Sequence, residues 1–217
     1  MSDGETEIEN ENEERINIMT LGNSEVGKTC YILKYTENFF QELYLTTVGI
    51  DFKIKTETIN NKQYKLFLYD TTGQEKYKSI ALNIIRNAQG IILMYDITNK
   101  KSFESIPEWI KSIRDSKGEN FPMILLGNKL DIEDIRVISE KEGKELADEY
   151  GIKFFETSNK TGVNIQESGM ALVNEILKIK ENEIKDSFVS KSSHNSKLSS
   201  KRTTLKSEER RCCGGGG

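Results

Sequence analysis

The chain has 217 residues and a formal net charge of −4, and 30% of its residues are charged against 35% that are hydrophobic. Without its polar ends about 165 residues remain, which is enough for one ordinary domain and too few for two. Three cysteines and one histidine predict neither a disulfide framework nor a zinc site, and the acidic balance gives no reason to expect a nucleic-acid partner.

The first predicted strand, residues 16–21, leads into the pattern G-x-x-x-x-G-K-T, and a helix-like stretch follows at residues 29–36. This pattern is typical of a loop that binds nucleoside triphosphate, because its glycines let backbone N–H groups face phosphate oxygens. The Lys28 ammonium can neutralise the outer phosphates, and the Thr29 hydroxyl can bind Mg²⁺. The alternative for this segment alone is an accidental Gly-rich turn. We name it the phosphate loop, residues Gly22, Asn23, Ser24, Glu25, Val26, Gly27, Lys28 and Thr29.

Two β-rich runs follow at residues 48–54 and 64–69, and the tight connection at Asn60 and Asn61 leaves no room for a crossover helix. We therefore expect an antiparallel hairpin at one edge of an otherwise parallel sheet. Thr47, just before the first run, can complete the coordination of a Mg²⁺ ion. By itself this stretch is only a β-rich segment with a turn.

The polar segment D-T-T-G-Q-E at residues 70–75 directly follows the second run. Asp70 is predicted to hold the metal, and Gly73 can give its N–H to the terminal phosphate because it has no Cβ. Gln74 can orient an attacking water molecule, which makes it the candidate catalytic residue. A polar turn is the alternative interpretation.

The segment N-K-x-D at residues 128–131 follows an apolar run predicted to be a parallel strand, and open α/β sheets bind ligands at such strand ends. The Asp131 carboxylate can accept hydrogen bonds from the ring N1–H and the exocyclic amine of guanine, a donor pair that adenine lacks. The Lys129 stem can lie along the base. We therefore predict that Asn128, Lys129 and Asp131 bind guanine.

The remaining apolar runs, residues 91–95, 123–126 and 152–155, alternate with helical stretches. This alternation predicts a three-layer α/β fold with a doubly wound, mostly parallel sheet of six strands and with five helices. One helix is predicted to begin near Ser102 and to be broken by Gly118 and Pro122. The last helix is predicted to begin near Asn164 and to end within residues 178–183.

Together these motifs make residues 15–180 resemble the Ras superfamily of small GTPases, which have the small G-protein form of the P-loop NTPase fold. The resemblance implies a switch that binds GTP or GDP with Mg²⁺, hydrolyses GTP slowly without an activating protein, and regulates vesicle trafficking. The segments that resemble the Rab branch are 48–53, 65–77 and 95–98, and those that resemble its exocytic members are 27–30 and 150–154.

The resemblance also assigns further nucleotide contacts. It places Cys30 beside the phosphate loop and the edge of Phe40 against the guanine ring, and it closes the loop of Ser158, Asn159 and Lys160 over the base. The implied metal ligands are Thr29, Thr47 and Asp70.

The chain departs from the family pattern at several positions. Glu25 replaces a usual glycine, so its carboxylate either points to solvent or lies near the phosphates. Thr72 and Asn159 each replace a usual alanine, and a backbone contact of residue 159 to guanine would tolerate that change. Tyr69 replaces a tryptophan of Rab proteins, but Phe52 remains, so we expect an altered aromatic patch for effectors.

By the same resemblance we expect a monomer that works with several protein partners. No arginine finger can be assigned within the chain, so an activating protein would have to supply one. The other expected partners are a guanine-nucleotide exchange factor, an escort protein with a geranylgeranyl transferase, a dissociation inhibitor, and effectors that read the switch segments.

We expect an acidic disordered arm at residues 1–14, a small GTPase domain at 15–182, and a disordered hypervariable tail at 183–217. Cys212 and Cys213 resemble the paired acceptors of Rab geranylgeranylation, and two prenyl chains give the double signal that stable anchoring requires. The four glycines after them do not fit C-a-a-X, which implies the escort-dependent route.

The sequence has no signal peptide and no transmembrane run, and Ser2 in place of a glycine excludes myristoylation. We therefore expect the protein at the cytoplasmic face of a vesicle, an endomembrane or the plasma membrane, cycling with the cytosol.

Three other functions are open at this point. A phosphate-loop ATPase or kinase would share residues 22–29 but has no use for N-K-x-D or for the paired cysteines. A guanine-nucleotide binding module with little or no hydrolysis is compatible with Glu25 and Thr72. A plasma-membrane signalling GTPase would normally end in C-a-a-X.

Overall fold

A computed structural model of the protein describes residues 14–40, 50–71 and 85–204. These residues form six strands, five α-helices and the 3₁₀ helix Leu130–Ile135. The strands are β1 (Glu14–Leu21), β2 (Ile50–Ile59), β3 (Lys62–Thr71), β4 (Gly90–Asp96), β5 (Met123–Asn128) and β6 (Lys153–Thr157). The α-helices are α1 (Lys28–Glu37), α2 (Lys100–Glu104), α3 (Ile106–Lys117), α4 (Glu140–Glu149) and α5 (Ile165–Thr204).

The strands lie in the order β2-β3-β1-β4-β5-β6, and every neighbouring pair is parallel except β2 with β3. The prediction of a six-stranded, mostly parallel sheet with an antiparallel edge strand is confirmed. Asn60 and Asn61 join β2 to β3 with φ of 51° and 61°, as in the two-residue turns that match hairpin twist. After β1 the chain continues to β2 and β3 at one end of the sheet, and after β4 it continues to β5 and β6 at the other end. The carboxyl ends of β1 and β4 therefore flank the crevice where such sheets bind ligands.

The centre of the sheet forms the core that fixes these strand ends. All residues of β4 and β5 are buried, which explains why the sequence shows unbroken apolar runs rather than alternation. Tyr95 of β4 packs between Gly127 of β5 and Gly143 of α4, and a Cβ atom on either glycine would collide with the tyrosine side chain. This tight packing therefore fixes the positions of the polar residues at the ends of β4 and β5.

Two helix boundaries differ from the sequence prediction. The helix predicted from Ser102 is two helices, α2 and α3, because Pro107 has no N–H to continue the hydrogen bonds of α2 into α3. The predicted end of the last helix within residues 178–183 is wrong, since α5 continues to Thr204. The polar composition favoured coil there, but residues 183–204 contain neither proline nor glycine, so no residue interrupts a helical backbone.

The chain divides into two units, Met1–Asn174 and Glu175–Gly217. The first unit contains the whole sheet, and the second contains the C-terminal part of α5. Among the helices that the structure describes, none combines the length and the apolar character needed to span a bilayer.

Candidate nucleotide-binding site

The phosphate loop connects β1 to α1 in a backbone conformation that depends on glycine. Gly22 and Gly27 have φ of 138° and 100°. A Cβ atom would collide with the Met94 carbonyl at the first position and with two asparagine side chains at the second. Glu25 also has a left-handed φ, 65°, which explains why glycine suits this position. Its side chain is exposed, so of the two placements expected for Glu25 the structure shows the one in solvent.

Lys28, the first residue of α1, brings a positive charge into this loop. The residue is 5% exposed, and its Nζ donates hydrogen bonds to the carbonyl oxygens of Gly22 (3.0 Å) and Asn23 (2.7 Å). The charge therefore lies beside the N-terminus of α1, where the first backbone N–H groups have no helical partner. Positive charge and N–H donors at one place make an anion-binding site.

Two of the predicted metal ligands lie together. Thr29 Oγ1 in α1 donates a hydrogen bond to Asp70 Oδ2 at the end of β3, at 2.7 Å. A hydroxyl and one carboxylate are hard oxygen donors that suit Mg²⁺, which normally takes its other ligands from water and phosphate. In the described ranges no cluster of three or more His, Cys, Asp or Glu residues could hold a metal. The donor set therefore fits a magnesium ion shared with a phosphate ligand.

Asn128, at the end of β5, joins three parts of the site. Its Nδ2 donates to the Val26 carbonyl oxygen of the phosphate loop at 2.7 Å, and its Oδ1 accepts a hydrogen bond from Thr157 Oγ1 of β6 at 3.2 Å. The residue is 1% exposed. The asparagine of N-K-x-D thus fixes the phosphate loop to the sheet, a contact that the sequence pattern did not reveal.

The other two residues of N-K-x-D are held by side chains from neighbouring strand ends. Lys129 has a left-handed φ of 75°, and its Nζ pairs with Asp96 Oδ2 at the end of β4, at 2.7 Å. Asp131 is exposed, and its Oδ1 accepts a hydrogen bond from Ser158 Oγ at 2.6 Å. The structure therefore brings residues 128–131 and 158–160 together, and we name these two stretches the base segments.

The second base segment also reaches the phosphate loop. Ser158 and Asn159 are buried, while Lys160 is exposed. Asn159 Nδ2 donates a hydrogen bond to the Gly27 carbonyl oxygen at 2.9 Å. An alanine, the usual residue of the family, could not make this contact.

The remaining predicted residues are more peripheral or lie outside the described residues. Cys30 in α1 and Phe40 beyond its end are both half-buried. The pKa of the Cys30 thiol is raised, first by burial and then by the Asp70 carboxylate, so the thiol is protonated at neutral pH. The predicted residues outside the described ranges are Thr47, Gly73, Gln74, Cys212 and Cys213, together with the variant position Thr72.

Sequence reasoning missed an anchor on the outer side of the phosphate loop. Asn23 Oδ1 accepts hydrogen bonds from Ser105 Oγ (2.9 Å) and from Trp109 Nε1 of α3 (3.2 Å). The available signal was the single tryptophan of the chain, whose indole N–H needs a partner when it is buried. The loop is thus attached to α3 on one side and to the base segments on the other.

Comparison with known proteins agrees with this geometry. Residues 17–178 match the sequence model of the family described as Ras family. The chain belongs to the Ras family. One Ras-family relative, the GTP-binding protein ypt2 of Schizosaccharomyces pombe, is 42% identical over 165 residues, 76% of this chain and 82% of the relative. The Ras-related protein Rab-13 of Canis lupus familiaris is 45% identical over 160 residues (74% and 79%), and Rab-8 of Diplobatis ommata is 38% identical over 193 residues (87% and 92%).

Within the Ras family the protein is therefore a small GTPase of the Rab type, which binds guanine nucleotide, hydrolyses GTP and regulates vesicle trafficking. The predicted family, fold and activity are confirmed. The comparisons do not favour the non-hydrolysing module or the plasma-membrane signalling GTPase.

Proposed function

We propose that the nucleotide binds across the phosphate loop and the two base segments. One contact carries this proposal, the hydrogen bond from Asn128 of N-K-x-D to Val26 of the phosphate loop at 2.7 Å. It joins two motifs about a hundred residues apart at the carboxyl edge of the sheet, where α/β sheets bind ligands. The proposed contacts are residues 22–30, Phe40, Thr47, Asp70, Gly73, Asn128, Lys129, Asp131 and residues 158–160.

The phosphates would lie against Lys28 and the N-terminus of α1, which supply positive charge and N–H donors. Thr29 and Asp70 would hold Mg²⁺, and Thr47 is the proposed third ligand. An ion held by these residues would supply positive charge that offsets the charge of the outer phosphates. The base would lie against the Lys129 stem, with Asp131 accepting the two guanine donors.

Gln74 is the proposed catalytic residue, and it orients the water molecule that attacks the terminal phosphate. Thr47 and Gly73 would both respond to this terminal phosphate, so the loops that carry them would distinguish the GTP form from the GDP form. The arginine that speeds hydrolysis comes from an activating protein, and a separate exchange factor reloads GTP.

We propose that effectors read an aromatic patch on the edge hairpin, formed by Phe52, Phe67 and Tyr69. Phe52 is 50% exposed, and its ring centroid lies 5.9 Å from those of the other two. Arg15 stacks over Phe67 at 3.7 Å and donates to the Tyr69 hydroxyl at 2.6 Å. Because Tyr69 replaces the usual tryptophan, this patch carries a phenol hydroxyl in place of an indole N–H.

The membrane part of the proposal rests on the sequence of the tail. Cys212 and Cys213 are the proposed acceptors of two geranylgeranyl groups, transferred with the help of an escort protein. A dissociation inhibitor would return the protein from the cytoplasmic face of a vesicle or exocytic membrane to the cytosol. Residues 15–182 would be the GTPase domain, and residues 1–14 and 183–217 its polar ends.

Single-turnover hydrolysis of GTP by the Mg²⁺-loaded protein tests this function, together with competition between GTP and ATP for the site. We expect slow hydrolysis that a Rab-directed activating protein accelerates, and preference for GTP. Guanine binding without any hydrolysis would overturn the role of residues 70–75. Equal competition by ATP would overturn the base assignment.

A further inference from the structure

Asn159 makes a contact that a small residue at its position could not make. Its side chain is almost fully enclosed, with 4% of the residue exposed, and Nδ2 lies 2.9 Å from the Gly27 carbonyl oxygen. A Cβ atom on Gly27 would approach this Nδ2 at 2.7 Å, closer than packing allows. The amide and the phosphate loop are therefore fitted to each other.

The oxygen that Asn159 contacts belongs to the start of a helix. The Gly27 carbonyl also accepts the backbone N–H of Tyr31 at 2.9 Å, the first hydrogen bond of α1. Asn159 therefore holds the N-terminal end of α1, which carries the unpaired N–H groups that favour phosphate. If Asn159 were removed, Gly27 would keep its bond to Tyr31, and the helix would still form.

The energetics separate the positioning effect of Asn159 from its contribution to folding. Within the described chain, Asn159 Oδ1 is buried without a hydrogen-bond partner. An unpaired buried acceptor costs free energy of the same order as one hydrogen bond contributes. In the nucleotide-free protein these two effects of the amide on fold stability oppose each other, so we expect its main effect to be to hold Gly27 in place.

We propose that Asn159 is a positioning residue that slows nucleotide release by tying the start of α1 to the base segment 158–160. The inference rests on the proposed nucleotide site and adds a determinant of nucleotide lifetime to it. Asn128 holds Val26 and Asn159 holds the next residue, Gly27, so the phosphate loop is attached to the base side at two consecutive residues. Opening the loop and releasing the base are then coupled movements.

The test compares dissociation of fluorescent GDP from full-length, Mg²⁺-loaded wild type, Asn159→Ala and a matched control, Asn164→Ala. The control also loses one amide hydrogen bond to a backbone carbonyl, that of Glu156 at 2.7 Å, but none to the phosphate loop. Asn164 has a left-handed φ of 58°, so alanine there is strained and lowers the thermal midpoint of the nucleotide-free protein.

For Asn159→Ala we expect dissociation about 2- to 10-fold faster than wild type, the change that one hydrogen bond can produce. Its nucleotide-free thermal midpoint should stay close to wild type, and Asn164→Ala should release GDP at the wild-type rate. An unchanged dissociation rate in Asn159→Ala would overturn the inference. So would equal acceleration in both variants, because general loosening would then explain it.

Failure of the proposed function would look different in the same experiment. If wild-type protein did not retain the fluorescent GDP, the nucleotide site itself would be wrong and the inference would fall with it. If wild type retained GDP and only the difference between the variants were missing, the site would stand and Asn159 alone would lose its role.

Discussion

The phosphate loop and the base segments meet in one crevice but are built in different ways. The phosphate loop is one continuous stretch whose backbone conformation depends first on its own residues, Gly22, Gly27 and a lysine that bonds to its carbonyl oxygens. The base segments follow separate strands, and side-chain bonds such as Lys129 to Asp96 hold them. A contiguous loop is specified by local backbone chemistry, whereas an assembled site depends on the register of the whole sheet.

Lys28→Ala should have the largest effect, because it removes the charge on which the phosphate side is built. Two or three charge-assisted hydrogen bonds of about 1.5–3 kcal/mol each are lost, so GDP affinity should fall about 1,000-fold or more. Isothermal titration measures this loss. Lys34→Ala, a half-buried lysine of the same helix, is the control that should keep wild-type affinity. Unchanged affinity in Lys28→Ala would contradict the phosphate site.

Gln74→Leu should leave nucleotide binding at the phosphate loop and at the base segments intact and should stop GTP hydrolysis. Without a side chain to orient the water molecule, hydrolysis stimulated by an activating protein should fall about 100-fold or more. Single-turnover hydrolysis measures the rate, and GTP affinity is the internal control. If this variant hydrolysed GTP at the wild-type rate with the activating protein present, Gln74 would have no catalytic role.

Asp131→Asn should change only which base the site recognises. The asparagine amide would set N–H donors against the exocyclic amine of guanine but could donate to the carbonyl that xanthine has there. We expect GDP affinity to fall about 100-fold and xanthosine diphosphate to become the better ligand, as measured by competition. Retained preference for GDP would show that Asp131 does not read the base.

Trp109→Phe should give the smallest effect, because it removes one of two donors to Asn23 and leaves Ser105 in place. A neutral hydrogen bond contributes about 1 kcal/mol, so the thermal midpoint should fall by about 2–4 °C. Calorimetry measures the shift. Trp109 is also the only tryptophan, and its indole N–H bonds to Asn23 of the phosphate loop. Wild-type tryptophan fluorescence should therefore change when GDP leaves. A constant emission would show that the α3 anchor does not respond to the nucleotide.

The difference between the two regions also explains what could be predicted from sequence. The hairpin at Asn60 and Asn61 and the phosphate loop both follow from residues adjacent in the chain. The hairpin has the predicted antiparallel geometry, and both glycines of the loop have positive φ. The contact of Asn128 with Val26 spans 102 positions and depends on how β1, β4 and β5 align. No local pattern encodes such an alignment, so sequence placed this asparagine only at the base.

The errors at the helices have a related origin. Composition predicted that the last helix stops near residue 183, but residues 183–204 contain neither proline nor glycine, and α5 continues to Thr204. The break between α2 and α3, in contrast, could have been predicted, because Pro107 has no N–H to continue a helix.

The exposed carboxylate of Glu25 has a kinetic consequence. A nucleotide approaching the phosphate loop carries several negative charges and meets this carboxylate in water, where salt screens charges over about 8 Å at physiological ionic strength. Repulsion of this kind slows the encounter more than it weakens the bound state, since the Glu25 side chain is exposed to solvent. Association of nucleotide with the empty site should therefore be hindered less by Glu25 as salt rises.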